Sequence, residues 1–305
     1  MQKRLTKSDF LLAYTIIITL ACAIGGFFFG AYYMKAEYEA AKAAALEAEK
    51  LEAEKERLLK EQKLYNEQDF IRFHYAVYAP ALSLKRAHFE TMENWTRLDR
   101  DAREESLDHL VETAEETISE LQKSVSLPTS PLLQKAQANF RNSVQAYLDG
   151  MKQLQRVQNK DVLTADEISE QLAPMQESWL TAQEQVYLSF ATWESAYVLK
   201  KPLPQAEPLS VTVEQWKQYP FLYRTYLSAA VMTTKKEWKA FNPEDLTAHL
   251  DNLFSAKDAS GTGIKDLPGG VGVLYAAQAI QPDAFKQQMP KKYAREKLPE
   301  VPLFH

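Results

Sequence analysis

Histidine is the side chain best suited to bind a metal or move a proton near neutral pH. The chain carries five, at 74, 88, 109, 249 and 305. On one helix His74 and His88 would stand about 21 Å apart at 1.5 Å rise per residue, too far to share an ion. A di-iron helical bundle needs Glu-x-x-His on two helices. His109-x-x-Glu112 has the reversed order and occurs once. Gly269-Gly270-Val271-Gly272 lacks the third glycine of a dinucleotide fingerprint and the lysine of a P-loop, and no strand pattern precedes it, so it reads as a turn. The single cysteine, Cys22, cannot form an internal disulfide or a cysteine metal site. No HExxH or GxSxG pattern occurs. The chain is therefore expected to be non-enzymatic, with no catalytic residues, cofactor or metal.

Three groups of residues suit recognition instead. Residues 101–123 are dense in acids, and Glu105, Asp108, Glu112 and Glu116 recur at helical spacing, a surface for a basic partner or a plain solvated face. Trp216, Tyr219 and Tyr223 begin an aromatic run reaching Phe241, a stacking surface unless it is core. Lys291, Lys292, Arg295 and Lys297 make the C-terminal stretch basic, suited to an anionic polymer or an acidic helix. Net charge is −5, and Lys3, Arg4 and Lys7 outnumber Asp9 at the N-terminus, so the rest is more acidic still. That balance argues against a nucleic-acid partner.

The elements that position these residues read as helices. Hydrophobic residues make up 46% and charged residues 25%, the balance of a folded protein. Gly150 is the one glycine between 31 and 260, and architectures rich in strands and turns need more positive-φ positions than that. The expected fold is all-α.

Residues 10–34 form an uncharged, mostly apolar run of 25 residues. As a helix it reaches about 37 Å, enough for a hydrocarbon core of about 30 Å. Ala21 and Ala23 fit a signal-peptidase site and Cys22 a loose lipidation site, but the chain stays apolar for three more turns, which favours an uncleaved signal anchor. Ala21 and Gly25, and Gly26 and Gly30, repeat a small-xxx-small spacing that lets two spans pack closely. Lys3, Arg4 and Lys7 crowd the short flank, whereas Lys35, Lys42 and Lys50 are spread along the other. The tail 1–9 is thus expected inside a cell membrane and the body outside, as a single-pass envelope protein.

Residues 35–65, almost all Ala, Glu, Lys, Leu and Arg from 36 onward, read as a helical stalk about 42 Å long over its 28 central residues, or as a dimeric coiled coil. Leu51, Leu58 and Tyr65 keep a heptad, but Glu54 and Glu61 occupy the alternate seam. From 66 to 200 four apolar-periodic segments are expected to form an antiparallel four-helix bundle. Pro80 is an expected kink or break and Pro174 an expected kink, Ser130-Pro131 an N-cap and first turn, and Thr164–Glu167 a capping box. Leu133, Phe140, Tyr147 and Leu154 give the third helix a seven-residue repeat, with Val144 and Met151 on the alternate seam. A proline-bearing linker, 201–209, leads into an aromatic-rich helical section, 210–305, with Asn242-Pro243 opening a helix, a loop at 257–272 and a short helix at 273–281. The layout suggests a scaffold or interaction module in the cell envelope, homodimeric through span and stalk, bound to the bilayer and to a protein partner. Two other functions fit it: a ligand-binding sensor that signals through a membrane partner, and a scaffold facing the cytoplasm in the inverted topology.

Overall fold

In the computed structural model, residues 65–123, 130–157, 163–255 and 263–305 are described, together with helical residues scattered between 14 and 50. The chain divides into two units, 1–58 and 59–305. In the first, every described residue is helical and exposed. Among the described residues no helix is long and apolar enough to cross a membrane. Much of the expected span, including residues 10–13 and 27–33 with Gly30, lies outside the described residues, as do stalk positions 51–64. Ala21, Gly25 and Gly26 are helical and exposed, and nothing lies within 4 Å of a Cβ built on either glycine.

The second unit is all-helical among its described residues. Helix α1 (Glu67–Phe73) starts at Asn66, whose Oδ1 accepts the Asp69 N–H at 2.9 Å. It runs through a π-helical turn (His74–Tyr78) into α2 (Ala79–Asn94). Pro80 therefore neither breaks nor ends the helix. The turn before it bonds the Ala79 N–H to the His74 carbonyl, the wider i to i−5 pattern that accommodates the missing proline donor. Helix α3 spans Arg100–Lys123 and α4 spans Pro131–Gln155. Ser130 stands at the N-cap position of α4 but makes no side-chain cap bond, and its hydroxyl donates to Asp69 at 3.3 Å. The heptad positions Leu133, Phe140, Tyr147 and Leu154 are all buried, as are Val144 and Met151.

The Thr164–Glu167 capping box is present and opens α5 (Ala165–Gln171). The chain then breaks at Leu172 and α6 (Ala173–Trp193) starts with Pro174 in its first turn. One kinked helix had been expected there. Two form because proline is best tolerated at a helix start, where its missing N–H has no intrahelical partner. A π-helical turn (Glu194–Leu199) extends α6 to Lys200, which closes it in the left-handed region with φ 53°.

Cross-helix bonds fix the directions. Lys152 meets Glu115 at 2.6 Å and Arg141 donates to the Leu121 carbonyl at 3.3 Å, so α3 and α4 are antiparallel. Asn139–Gln185 and Gln153–Gln171 bonds run α6 and its preceding turn antiparallel to α4.

Beyond 200 come α7 (Val213–Gln218), α8 (Phe221–Thr234), α9 (Pro243–Ser255), α10 (Leu267–Ala276) and α11 (Ala284–Gln288), the last leading into a π-helical turn (Met289–Tyr293). Thr233 on α8 donates to the Leu180 carbonyl of α6 at 3.2 Å. Phe304 closes on Phe190 of α6 with ring centroids 5.1 Å apart. Residues on both sides of 201–209 thus share one hydrophobic core. Its centre is Trp179, fully buried, with its ring 5.2 Å from Phe140 and 5.6 Å from Trp238.

The helix placed at 273–281 from sequence starts earlier, at Leu267, and takes in Gly269, Gly270 and Gly272. Asp266 caps it by accepting the Gly269 N–H at 2.8 Å, with Pro268 in the first turn. A Cβ on Gly270 would lie 2.6 Å from Phe254 Cζ. That glycine permits the close approach of α10 to α9, which is a packing reason and not a phosphate-binding one.

Candidate functional site

A cavity flanks α2. Its volume is about 630 Å³, within the range of small-molecule sites. Leu82, Arg86, Phe89 and Glu93 recur at three- and four-residue spacing and so form one stripe of α2 along the groove. Ala240, Asn242, Pro282 and Asp283 form the facing wall. Asp283 adopts the left-handed region (φ 60°), a conformation that Asp tolerates better than most residues.

Lys85 forms the floor and is 2% exposed. A buried ammonium needs acceptors, and Lys85 Nζ donates to the Phe241 carbonyl at 2.9 Å and to Asn242 Oδ1 at 3.0 Å. Burial pushes its amine down to about 8, while Glu244 and Asp245 pull the other way. The two bonds tie α2 to the start of α9, where the corner 241–242 turns into Pro243. Asp245 holds the same corner: Oδ2 accepts the Asn242 N–H at 3.0 Å and Oδ1 accepts the Phe285 N–H at 3.0 Å. Asn242 thus opens α9 as the sequence suggested, but its side chain is spent on Lys85.

Close to Lys85 lies a buried chain of hydroxyls and a carboxyl. Tyr187 donates to Glu244 Oε2, and Tyr78 and Tyr187 pair through their hydroxyls at 3.4 Å. Burial, then Asp245, pushes Glu244 up to about 8, so its carboxyl is largely protonated at neutral pH. Both phenols are pushed up by burial first and by Glu244 next. Phenols held protonated and an amine already donating to two acceptors suit a fixed binding floor better than an acid–base relay. The mouth carries Glu90, Glu93 and Asp283 against Arg86, beside apolar Leu82, Phe89 and Met92. That lining suits a ligand with a cationic group and an apolar body.

The surfaces expected from sequence fare differently. Glu105, Asp108, Glu112 and Glu116 are all exposed on α3, and the first three border a shallow depression with Asp101, Glu104 and His109. Helix α4 engages part of this face, since Gln155 donates to Asp108 at 2.7 Å. The aromatic surface does not form. Trp216 is 1% exposed and donates to Asp251 at 2.7 Å; Tyr223 is 2% exposed and accepts the Ala206 N–H at 3.0 Å. Tyr219 is half-buried with its ring edge-on to Tyr223. Helix α8 packs between α6 and α9, so its aromatic positions become core.

His88 sits between Trp238 and Tyr147, and burial lowers its imidazole to about 4, so it stays neutral. Among the described residues no group of three or more His, Cys, Asp or Glu could hold a metal ion. The sequence reading passed over Lys85, Glu244 and Asp245. A signal existed for Lys85: it follows Ala81 by four and precedes His88 by three, in phase with the buried stripe of α2. No family model matches this chain, and neither a curated protein nor a solved structure was found that resembles it.

Proposed function

We propose that this protein is a non-catalytic binding module tethered to a cell membrane. The run 10–34 is the tether, with the short N-terminal tail in the cytoplasm and the helical body displayed outside. Residues 35–65 form the stalk, and span and stalk pair two copies. The apolar composition of 10–34 supports the tether, and so do the helical, exposed Tyr14, Ile17, Ile18, Leu20 and Ile24, apolar side chains of the kind a bilayer covers. The observation that carries the binding role is the α2 groove, in which apolar Leu82, Phe89 and Met92 and an acidic mouth meet over a buried lysine.

Protease treatment of intact protoplasts tests the topology through a C-terminal tag. Digestion of the tag, with the protein in the membrane fraction beforehand, is the expected result. A tag protected until lysis would instead mean the inverted scaffold that faces the cytoplasm. Recovery in the soluble fraction would remove the tether altogether.

The groove also favours a second reading, an extracytoplasmic sensor that hands its signal to a membrane partner. Under either reading, cationic amphiphiles such as arylalkylamines should raise Tm in a saturable way. Glu90→Gln combined with Glu93→Gln should weaken that effect about tenfold, since each lost charge contact at an exposed site is worth about 0.7 kcal/mol. Equal responses from the variant and the parent would remove the groove as the binding site.

A further inference from the structure

A second cavity, of about 200 Å³, shares no residue with the groove. It lies where α7, α8, α9 and the C-terminal stretch meet. Trp216 and Lys217 come from α7, Arg224 from α8, Asp251, Phe254 and Ser255 from α9, and Lys292, Tyr293 and Glu296 from the last segment. Two features singled out in the sequence for separate reasons, the aromatic run at Trp216 and the basic stretch at Lys292, converge here.

The arrangement is built around Arg224. Its side chain is 14% exposed and one terminal nitrogen pairs with Asp251 Oδ2 at 3.1 Å. Asp251 accepts from two further donors: Oδ1 from Trp216 Nε1 at 2.7 Å and Oδ2 from the Tyr293 hydroxyl at 2.8 Å. Asp251 therefore fixes the guanidinium without being free to serve all of it. The Arg224 Nε–H is buried and has no hydrogen-bond partner. That atom is closed to solvent, so the guanidinium can meet an anion only through its terminal nitrogens. Lys292 is held nearby by Asn252 at 2.7 Å, and Lys217 is exposed on the rim. Three cations thus face the cavity against Asp251, which already holds three donors, and Glu296. The volume admits a tetrahedral oxyanion but not a drug-sized molecule.

We propose that this cavity binds a phosphate-type oxyanion, with the terminal nitrogens of Arg224, Lys217 and Lys292 as donors and Asp251 as the residue that positions Arg224. The fork of an arginine matches phosphate oxygens in a way a lysine does not. The anion is either free phosphate or the phosphomonoester end of a larger molecule, whose body would extend past Trp216 and Phe254.

Calorimetric titration of the full chain in a phosphate-free buffer tests this, with inorganic phosphate and phenyl phosphate as the two probes and chloride at matched ionic strength as the control. Saturable binding of at least one probe, absent for chloride, is expected. Tighter binding of phosphate identifies the free ion, and tighter binding of phenyl phosphate identifies the phosphomonoester. Arg224→Lys keeps the charge but loses the planar guanidinium fork, and should weaken binding at least tenfold. Arg224 is half of a buried ion pair, so Lys217→Ala at the rim serves as a second variant that leaves the fold intact, with a severalfold loss expected. Absence of saturable binding by either probe would overturn the site, as would full affinity retained in Lys217→Ala and in a folded Arg224→Lys.

Discussion

Trp179→Ala destabilises the protein by about 3–5 kcal/mol, the range for removing a large aromatic side chain from a core. The indole is fully buried and its ring meets Phe140 on α4 and Trp238 after α8. Phe140 belongs to a packed helix and Trp238 to the segment that joins α8 to α9, so the vacated space cannot close without moving one of them. The loss appears as a lower denaturation midpoint with an unchanged slope, and as a Tm drop of about 10 °C for a unit of this size. Trp179→Phe separates the contributions. It keeps most of the apolar contact and removes the indole N–H, which is buried without a hydrogen-bond partner. Its cost should therefore be less than half that of alanine. An alanine cost under about 1 kcal/mol would mean that the helices do not converge on this residue.

Glu244→Gln changes how stability depends on pH. The folded carboxyl is pushed up to about 8 by burial and by Asp245, against 4.5 for the free side chain. Below 4.5 both states hold the proton and this residue adds no pH dependence. Between 4.5 and 8 the folded state keeps a proton that the unfolded state has released, so stability falls as pH rises. Above 8 the loss is complete and constant. Glutamine still accepts from Tyr187 but has no proton to lose. At about 1.4 kcal/mol per pH unit, the variant gains on the parent by on the order of 2 kcal/mol between pH 5.5 and 8. Glu194, also raised to about 8, and His88, lowered to about 4, titrate within or near that window in both proteins and cancel in the difference. Denaturation at the two pH values measures it. Parallel pH curves for parent and variant would show that Glu244 ionises normally and that the buried hydroxyl chain is not as described.

The local features of this fold were legible because they depend on neighbours in the chain. Glycine scarcity and apolar periodicity predicted helices, and the 133–154 repeat identified buried positions one by one. The Thr164 capping box is a local exchange of hydrogen bonds between residues three apart, so four residues suffice to read it. Ser130 shows where that reasoning stops. Its type and its proline neighbour describe a cap, but a carboxylate from Asp69, distant in sequence, takes the hydroxyl. The Gly269–Gly272 stretch likewise looks like a turn until Phe254 presses on it and explains the glycine inside a helix.

The sites were less legible for the same reason. Exposure of the α3 acids follows from helical phase, and the structure agrees with it. Burial of Trp216 and Tyr223 does not, because nothing in residues 216–223 records that α6 and α9 flank α8. The floor at Lys85 joins two segments far apart in sequence and the fork at Arg224 joins four. By itself the sequence determined an all-α fold, the Thr164 cap and most of the buried stripes, since backbone propensity and apolar periodicity act over a few turns. Which cations are buried, which acids face them and where the cavities open were decided by tertiary packing alone, since desolvation and pairing depend on side chains that only the fold brings within reach.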